Sequence, residues 1–472
     1  MNTKEMYLKL QELVDSKVFY WRKENGRGLI LHKINNKKDT KGFEVYTDMG
    51  TIALLELVKL HVLVKLHVPY EQLVAIMENT FGMSSEEAES VLHERLHKLL
   101  EFNTKIISPY PLGHPYSYSA PHLAAVEITT HCNLSCNYCY ANSGPHSQMY
   151  MNLEQIKHVF DELEVMEIPI LWITGGEPLL HPEIEKILKE AQNRGFYVIV
   201  ATNGTPLYKN ERLLSIVKNY VDEIQIDLDG ARKETHEFYR GPGTYEKVIW
   251  SIKNLTKDKD KHRTMVAVGT TLGKRNLNEI PEIIRLVDSL GADYWVYGAL
   301  IPIGRGKFIQ WEGLSPEDLV KAYKLILNGS KFAKNVTVLK SLAGVTPLNP
   351  PLSKPTARCG AVNFQIQIHT NGDVYPCVFL REKRFKLGNI FQQSLRDILS
   401  SPLAEYFRVG IDNPEQDKYN LVDPKCRNCI LYQKGYCNTF CKAIPRDKYC
   451  TRDIAGSPLN EMYISLSGGR KL

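Results

Sequence analysis

The sequence predicts an α/β fold built on a parallel sheet, with a small domain before it and a cysteine-rich domain after it. The middle of the chain alternates short apolar runs with amphipathic stretches of helical periodicity, which is the pattern of successive β-α units. All ten cysteines fall into two groups, one near residue 130 and one in the last quarter. A length of 472 residues is sufficient for about three domains.

Six apolar runs are predicted to be the strands of the sheet. The stretches between them include the predicted helices Leu153–Met166, Pro182–Arg194 and Leu277–Leu290. Because such helices connect consecutive strands, we expect the strands to be parallel. The predicted strands are Ala125–Thr129, Ile168–Thr174, Tyr197–Thr202, Glu223–Leu228, Thr264–Thr271 and Asp293–Leu300.

The first cysteine group has the spacing Cys-x-x-x-Cys-x-x-Cys and follows the first predicted strand. It consists of Cys132, Cys136 and Cys139, with Tyr138 before the last cysteine. Thiolates select iron–sulfur clusters or zinc. Three of them leave one ligand position open, as catalytic metal sites do, whereas a structural zinc site has four closed ligands. An iron–sulfur cluster is therefore the favoured interpretation, and zinc is the alternative.

A second motif, Gly175-Gly176-Glu177-Pro178, follows the second predicted strand. With the cysteine motif, it resembles the two signatures of the radical S-adenosylmethionine (SAM) superfamily. The resemblance implies a partial (β/α)6 barrel, a [4Fe-4S] cluster on the three cysteines, and SAM chelated to the open iron. In that family, an electron from the cluster cleaves SAM to a 5'-deoxyadenosyl radical, which abstracts hydrogen from the substrate. A plain turn is the alternative for the second motif.

The resemblance also implies which residues contact SAM, at the carboxyl ends of the strands where barrel active sites lie. The glycine turn, with Glu177 near it, would receive the SAM amino group, and Asn203 continues the same rim. Arg240 would bind the SAM carboxylate bidentately, unless it is an ordinary surface arginine. Asp227 would face SAM or substrate, or cap a turn. Tyr138 would pack against SAM or the cluster, or be an ordinary buried aromatic. No general acid or base can be named.

The seven C-terminal cysteines resemble the SPASM domain, an extension with two auxiliary iron–sulfur clusters in peptide-modifying radical SAM enzymes. The family usually has five residues at the place where this chain has seven, between Cys429 and Cys437. The resemblance implies an outer cluster held by Cys426, Cys429, Cys437 and Cys450, and an inner cluster held by Cys359, Cys377 and Cys441.

The inner cluster would then have three protein ligands. Its fourth position either takes a substrate thiolate, which would fix a peptide cysteine beside the radical site, or takes water or a non-cysteine ligand. A smaller cluster is a further alternative. Taken alone, the stretch from Cys426 to Cys441 would also match a zinc ribbon.

The first hundred residues are predicted to form a small sheet followed by three helices. This order resembles a PqqD-like recognition element, a winged-helix-like α+β domain of enzymes that act on ribosomally synthesised and post-translationally modified peptides (RiPPs). Such a domain binds the leader of the precursor peptide by strand addition. A winged-helix domain for oligomerisation is the alternative. The predicted elements are strands Lys17–Arg22, Gly28–Lys33 and Gly42–Thr47 and helices Thr51–Leu66, Tyr70–Asn79 and Ser85–Glu101.

The expected domain organisation follows from these motifs. A recognition element (1–107) is joined by a linker (108–121) to the radical SAM core (122–305). A bridging segment (306–354), the SPASM domain (355–455) and a tail (456–472) complete the chain.

Charge and hydropathy exclude some classes of protein. The net charge is +6, and no basic run with interleaved aromatics is present, so we expect no nucleic-acid partner. No apolar run is long enough for a membrane span and the N-terminus lacks the apolar core of a signal peptide. We therefore expect no membrane association, and a cytoplasmic, reducing location that suits the clusters.

The C-terminal run from Cys359-Gly-Ala through Leu387-Gly-Asn-Ile to Gly435-Tyr-Cys437 resembles the sactipeptide maturases and related thioether-forming (ranthipeptide) enzymes. The resemblance implies a RiPP maturase that joins a cysteine sulfur to a carbon of another residue. Its cofactors would be SAM and three iron–sulfur clusters, and its partners a leader-bearing precursor peptide and a flavodoxin or ferredoxin-like reductant. The alternatives are carbon–carbon crosslinking, epimerisation or decarboxylation of a peptide, a sulfatase-maturing (formylglycine-forming) enzyme, and a non-enzymatic electron carrier.

Overall fold

The computed structural model forms two compact units, residues 1–114 and 115–472. The predicted helix Thr51–Leu66 and the cysteines Cys359, Cys426, Cys437 and Cys441 lie outside the described residues. The structure describes residues 2, 4, 5, 7, 8, 19–24, 27–32, 43–47, 70–81, 83–101, 120–257, 264–338, 360–409, 428–433, 450 and 452–468.

The described part of the N-terminal unit contains a three-stranded antiparallel sheet followed by two helices. The strands are β1 (Phe19–Glu24), β2 (Arg27–His32) and β3 (Phe43–Thr47), with β2 in the centre and the other two at the edges. The helices are α1 (Tyr70–Phe81) and α2 (Ser85–Glu101). Ser84 caps α2: the Ser84 N–H donates to the Glu87 carboxylate, and the Glu87 N–H donates to Ser84 Oγ.

The second unit contains the six predicted strands, all parallel to their neighbours. The first strand begins and ends two residues earlier than expected, because Thr129 leaves it to form an isolated bridge with Tyr150. The six strands are β4 (Leu123–Glu127), β5 (Ile170–Thr174), β6 (Tyr197–Thr202), β7 (Glu223–Asp227), β8 (Met265–Leu272) and β9 (Tyr294–Ala299).

The sheet extends beyond these six strands at both edges. Among the described residues its order is β10-β9-β8-β7-β6-β5-β4-β11-β12-β13. One edge gains β10 (Thr337–Val338), and the other gains β11 (Gln365–Ile368), β12 (Asp373–Tyr375) and β13 (Gly388–Asn389). Since β11 runs parallel to β4, the cysteine-rich region continues the same sheet, which periodicity did not predict.

The two faces of the parallel strands pack against different parts of the chain. One face, with Val126, Ile173 and Val200, packs in the main core against the helices. On the other face, Ala125 and Trp172 belong to a smaller cluster that also includes Val378 from the C-terminal region. Alternate residues of a strand point to opposite faces, so the second face is the inner one, facing away from the helices.

The helices of this unit begin at recognisable caps. Asn152 and Ser315 each form a capping box, and Ser457 caps a C-terminal helix in the stretch expected to be a tail. Among the described residues, no helix combines the length and the apolar character that a membrane span requires. The helices are α3 (Leu153–Val165), α4 (Ile184–Asn193), α5 (Glu211–Tyr220), α6 (Lys233–Arg240), α7 (Tyr245–Thr256), α8 (Ile280–Ser289), α9 (Pro316–Ser330), α10 (Leu395–Leu399), α11 (Pro402–Val409), α12 (Ile430–Gln433) and α13 (Pro458–Leu466).

Candidate active site

The first cysteine motif forms a loop beyond the carboxyl end of β4. Cys132 and Cys136 are buried, Cys139 is half-buried, and all three are free thiols. The Leu134 backbone N–H donates to Cys132 Sγ at 3.4 Å. The Cys139 N–H donates to the Cys136 carbonyl at 3.2 Å, which closes a turn between these two cysteines. The charges of Cys136 and Cys139 contribute to the raised pKa of Cys132, so the three thiols are near one another, and their role as cluster ligands stays a prediction.

The Gly175-Gly176 turn lies directly against the start of this loop. The Gly176 N–H donates to the Thr129 carbonyl at 2.7 Å, and the Glu177 N–H donates to the His131 carbonyl at 2.8 Å. A Cβ at Gly175 would collide with the Thr129 carbonyl, and one at Gly176 with the His131 carbonyl. The glycines are required for close backbone approach, but the neighbour they admit is the cysteine loop.

Glu177 is fully buried and joins the end of β5 to the end of β6. Its carboxylate accepts hydrogen bonds from the Leu179 N–H at 3.1 Å, Thr202 Oγ1 at 2.7 Å and the Asn203 N–H at 2.7 Å. Burial raises the pKa of Glu177 to about 7, against the lowering effect of these donors. Most of its acceptor capacity is used within the chain, so Glu177 holds the rim together.

Asn203 connects the rim to the cysteine loop. Its Nδ2 donates to Asn133 Oδ1 at 3.0 Å and lies 3.8 Å from Cys132 Sγ. Its Oδ1 accepts from the Thr205 N–H at 2.9 Å. The structure thus places Asn203 beside a predicted cluster ligand.

A buried charge cluster lies at the end of β7 and the C-terminus of α6. Arg240 Nε donates to Asp229 Oδ2 at 2.6 Å, and its Nη2 to Asp227 Oδ2 at 2.9 Å. Tyr138 donates its hydroxyl to Asp229 at 2.5 Å, with the Arg240 guanidinium 5.2 Å from its ring centre. Although burial opposes the charge, the two aspartates hold the pKa of Arg240 well above its usual range.

This cluster decides two of the alternatives. Arg240 is buried, so the surface-arginine alternative is wrong. Asp227 binds a guanidinium through its carboxylate rather than capping a turn. The SAM contacts implied for Tyr138, Gly175, Gly176, Glu177, Pro178, Asn203, Asp227 and Arg240 stay predictions; Pro178 begins a short 3-10 helix that Glu177 caps.

Two residues after β9 hold the cysteine loop and were not singled out by any sequence motif. The Arg305 N–H donates to the Cys139 carbonyl at 3.0 Å, and Arg305 Nε donates to the Cys136 carbonyl at 2.8 Å. Gly304 has a φ of +54°, and a Cβ there would collide with the backbone carbonyls of Cys139 and Tyr140. In the sequence only the presence of a glycine at position 304 could have indicated this contact, and an isolated glycine is a weak signal.

The C-terminal region reaches the same site through Arg381. Arg381 Nη2 binds Glu127 Oε2, at the end of β4, at 2.9 Å, and its guanidinium lies 5.4 Å from the Tyr140 ring centre. Phe379 makes an edge contact with the Tyr140 ring at 5.8 Å. Tyr140 follows Cys139, and Phe379 lies two residues after Cys377, so the two cysteine regions meet here.

The described C-terminal cysteines occupy protected positions. Cys377 and Cys429 are buried, and Cys450 is half-buried. Arg452 Nη1 donates to Cys429 Sγ at 3.6 Å. The structure does not describe the other four predicted ligands, so the two auxiliary ligand sets stay predictions.

The thiol loop fits an iron–sulfur cluster. Within the described residues, no three His, Cys, Asp or Glu side chains are arranged around a single metal ion. Burial raises the pKa of Cys132 to about 12 and that of Cys136 to about 11, so these thiols need cationic iron to ionise. The N–H donors of Leu134 and Asn203 at Cys132 Sγ are of the kind that tunes such clusters.

Comparison with known families gives the same result. Residues 126–287 match the model of the radical SAM superfamily, and residues 359–430 match the SPASM iron-sulfur cluster-binding domain. The chain belongs to the radical SAM superfamily. In this radical SAM enzyme the cysteine loop and the Gly-Gly-Glu-Pro turn lie on an open parallel sheet, where a partial (β/α)6 barrel was expected. The interpretation as an electron carrier alone is not supported.

Three curated relatives of this radical SAM enzyme differ in activity. The antilisterial bacteriocin subtilosin biosynthesis protein AlbA of Bacillus subtilis is 31% identical over 73% of this chain and 72% of its own length. The AdoMet-dependent heme synthase of Methanosarcina barkeri is 30% identical, over 66% and 92%. The mycofactocin maturase MftC of Mycobacterium tuberculosis is 29% identical, over 57% and 68%.

A solved structure has a similar fold. Streptococcus suis SuiB bound to its precursor peptide SuiA matches with a TM-score of 0.62 at 14% identity, covering 93% of this chain and 99% of SuiB. This likeness supports the fold of the radical SAM enzyme.

Proposed function

We propose that this enzyme crosslinks a ribosomally synthesised precursor peptide, joining a cysteine sulfur to a carbon of another residue as a thioether. The observation that carries the proposal is the contact between the two cysteine regions, where Phe379 packs on Tyr140 and Arg381 binds Glu127. A peptide bound there would lie close to both the radical site and the predicted inner cluster. The similarity to AlbA, a bacteriocin biosynthesis protein, supports the same class of substrate.

The chain's own residues would prepare the site for this reaction. Cys132, Cys136 and Cys139 would hold the cluster, and Asn203 and Arg305 would keep their loop in place. When bound to this cluster and reduced by one electron, SAM supplies the 5'-deoxyadenosyl radical that removes a hydrogen atom from the peptide carbon. The partly buried contact between Tyr140 and Phe379 would cover one side of the reacting peptide and reduce its exposure to water.

The seven C-terminal cysteines would provide the redox capacity that the product requires. A thioether has two hydrogens fewer than its parent residues: one leaves as the hydrogen atom taken from carbon, and the other as the thiol proton. One surplus electron then leaves the peptide, and auxiliary clusters held by the predicted ligand sets would accept it. The three-cysteine set Cys359, Cys377 and Cys441 would leave one position for the peptide thiolate.

The N-terminal unit would bind the leader of the precursor. Its sheet has β1 and β3 at the two edges, and an edge strand presents unpaired backbone groups to an extended peptide. We propose a cytoplasmic enzyme that receives electrons from a flavodoxin or ferredoxin-like protein.

The test uses a candidate precursor, a short cysteine-containing peptide sought among the genes beside this one, incubated without oxygen with the reconstituted enzyme, SAM and a reductant. We expect mass spectrometry to show the loss of two hydrogens per crosslink, with the modified cysteines resistant to alkylation. A peptide without its leader should react poorly, and a Cys136→Ala enzyme should form neither product nor deoxyadenosine. Deoxyadenosine formed while every cysteine still alkylates would contradict thioether formation.

That contrary result would favour the second candidate, another radical modification of a peptide such as carbon–carbon crosslinking, epimerisation or decarboxylation. The similarity to the mycofactocin maturase MftC supports this candidate. Product masses separate these reactions, since decarboxylation removes carbon dioxide and epimerisation leaves the mass unchanged. A sulfatase-maturing reaction would instead be independent of any leader.

A further inference from the structure

A cavity lies where three segments of the catalytic unit meet. It has a volume of about 210 Å³ and is lined by Tyr140 of the cysteine loop, by the segment 303–307 after β9, and by the segment 379–385 after Cys377. Both cysteine regions therefore contribute to one cavity, whose volume suits a single side chain rather than a folded partner.

The lining is cationic. Among the described residues, the lining includes three cationic side chains, Lys307, Arg381 and Arg384, and one carboxylate, Glu382. Glu382 is already paired with Arg384 Nε at 2.8 Å, in an exposed ion pair that is weak in water. Arg381 is paired with Glu127, so Lys307 supplies the charge that remains, and this charge favours an anionic occupant.

One nitrogen of Arg381 lacks a hydrogen-bond acceptor. Its Nη2 binds Glu127, whereas its Nη1 is buried and has no hydrogen-bond partner among the described residues. Buried donors of this kind are normally paired. A carboxylate is the acceptor that matches a guanidinium best.

Two exposed aromatic residues follow Lys307 in the chain. Phe308 and Trp311, which follow Lys307 in the same segment, expose 75% and 62% of their surface. Large exposed aromatic side chains are typical of binding surfaces. An extended peptide across them would cover their rings while one of its carboxylates enters the cavity.

We propose that this cavity binds a carboxylate of the substrate peptide through Lys307, Arg384 and Arg381, and thereby sets which residue reaches the radical site. The inference rests on the proposed function only in that the peptide is the substrate. The carboxylate belongs either to an Asp or Glu side chain or to the peptide's C-terminus, which offer the same chemistry.

The test is a charge cycle between enzyme and peptide. The full-length reconstituted enzyme with SAM is titrated with the same candidate precursor peptide, labelled at its N-terminus. The enzyme is used as wild type, Lys307→Glu and Arg384→Glu. The peptide is used in its native form, with each Asp or Glu changed to Asn or Gln, and with an amidated C-terminus. We expect each enzyme variant to raise the peptide Kd about tenfold, and to lose this effect against the one peptide that lacks the bound carboxylate.

Lys189→Glu is the matched control, because Lys189 is an exposed lysine of α4 that does not line the cavity; it should leave the Kd unchanged. If only the amidated peptide abolishes the effect, the occupant is the C-terminus. The proposal would be overturned if the variants raised the Kd of every peptide equally or did not raise it at all. A change in SAM affinity in place of peptide affinity would also overturn it. Binding is measured before reductant is added, so failure of thioether formation would contradict the proposed function without affecting this result.

Discussion

Two buried carboxylates lie at the ends of neighbouring strands, and they are stabilised in different ways. Glu177, after β5, accepts hydrogen bonds from neutral donors that include Thr202 and Asn203. Glu127, on β4, is instead paired with Arg381, which lies 254 residues later in the chain. Burial raises the pKa of both carboxyls. Hydrogen bonds from uncharged donors thus hold the rim between β5 and β6. An ion pair holds the contact between β4 and the C-terminal region.

The difference matters because a substitution in each arrangement should lower the stability of the protein by a different amount. Removing one partner of a buried ion pair leaves an uncompensated charge, which costs more than an unmade neutral hydrogen bond. The contact between the two cysteine regions is therefore the more vulnerable part of the site to single substitutions.

Arg381→Ala is the strongest test of this comparison. We expect it to lower the free energy of unfolding by about 3–5 kcal/mol, because Glu127 is left buried without its cation. Urea unfolding of the purified protein measures the change. Arg384→Ala is the matched control, since its ion pair with Glu382 is exposed and should contribute less than about 1 kcal/mol.

Adding Glu127→Gln to Arg381→Ala should recover part of the lost stability, since the unpaired charge is then gone. Equal effects of Arg381→Ala and Arg384→Ala would contradict the distinction between the two regions.

Glu177→Ala should have the next largest effect, about 1–3 kcal/mol, because it leaves the buried donors of Leu179, Thr202 and Asn203 without an acceptor. Glu177→Gln keeps one acceptor oxygen and should cost less. Since Asn203 also reaches Asn133 and Cys132, the alanine variant should bind less iron on reconstitution, which an iron assay per chain measures. Unchanged iron content in Glu177→Ala would show that this rim does not support the cysteine loop.

The smallest expected effect is on the pH dependence of the free energy of unfolding. His369, near Arg381 in the C-terminal region, and Glu177, at the rim between β5 and β6, should change it in opposite directions. His369 stacks on Tyr375 at 4.5 Å, and burial, followed by the charge of Arg381, lowers its pKa from 6.5 to about 3. Below pH 6.5 the unfolded chain therefore binds a proton that the folded chain does not, so stability falls as the pH is lowered, by about 1.4 kcal/mol per unit. Because Glu177 acts in the opposite direction over the same range, the two trends offset each other in the wild type. His369→Gln should therefore change the slope of the stability profile by about this amount relative to the wild type, in urea unfolding between about pH 6.5 and 5.

Glu177 gives the reverse trend, because its pKa is raised from 4.5 to about 7 and the folded chain holds the extra proton. Its contribution is present at low pH and is lost as the pH rises through 7. If His369→Gln does not change the pH dependence of the free energy of unfolding below pH 6.5, the prediction for His369 is wrong.

The sequence alone determined the parts of this protein that depend on local pattern. Tyr197–Thr202 and Ser85–Glu101 were predicted to the residue, because apolar periodicity and a helix cap act over a few neighbours. The spacing of Cys132, Cys136 and Cys139 and the following glycines identified the family, since a cluster loop requires its ligands close together in the chain.

Only the tertiary structure decided how distant segments complete the site. Three contacts join residues that are far apart in the chain. They are the pairing of β11 with β4, the ion pair of Glu127 with Arg381, and the contacts of Gly304 and Arg305 with the cysteine loop. The two aspartates that bind Arg240 likewise became evident only in the fold. Such contacts depend on which surfaces pack together, and a local sequence pattern carries no information about that choice.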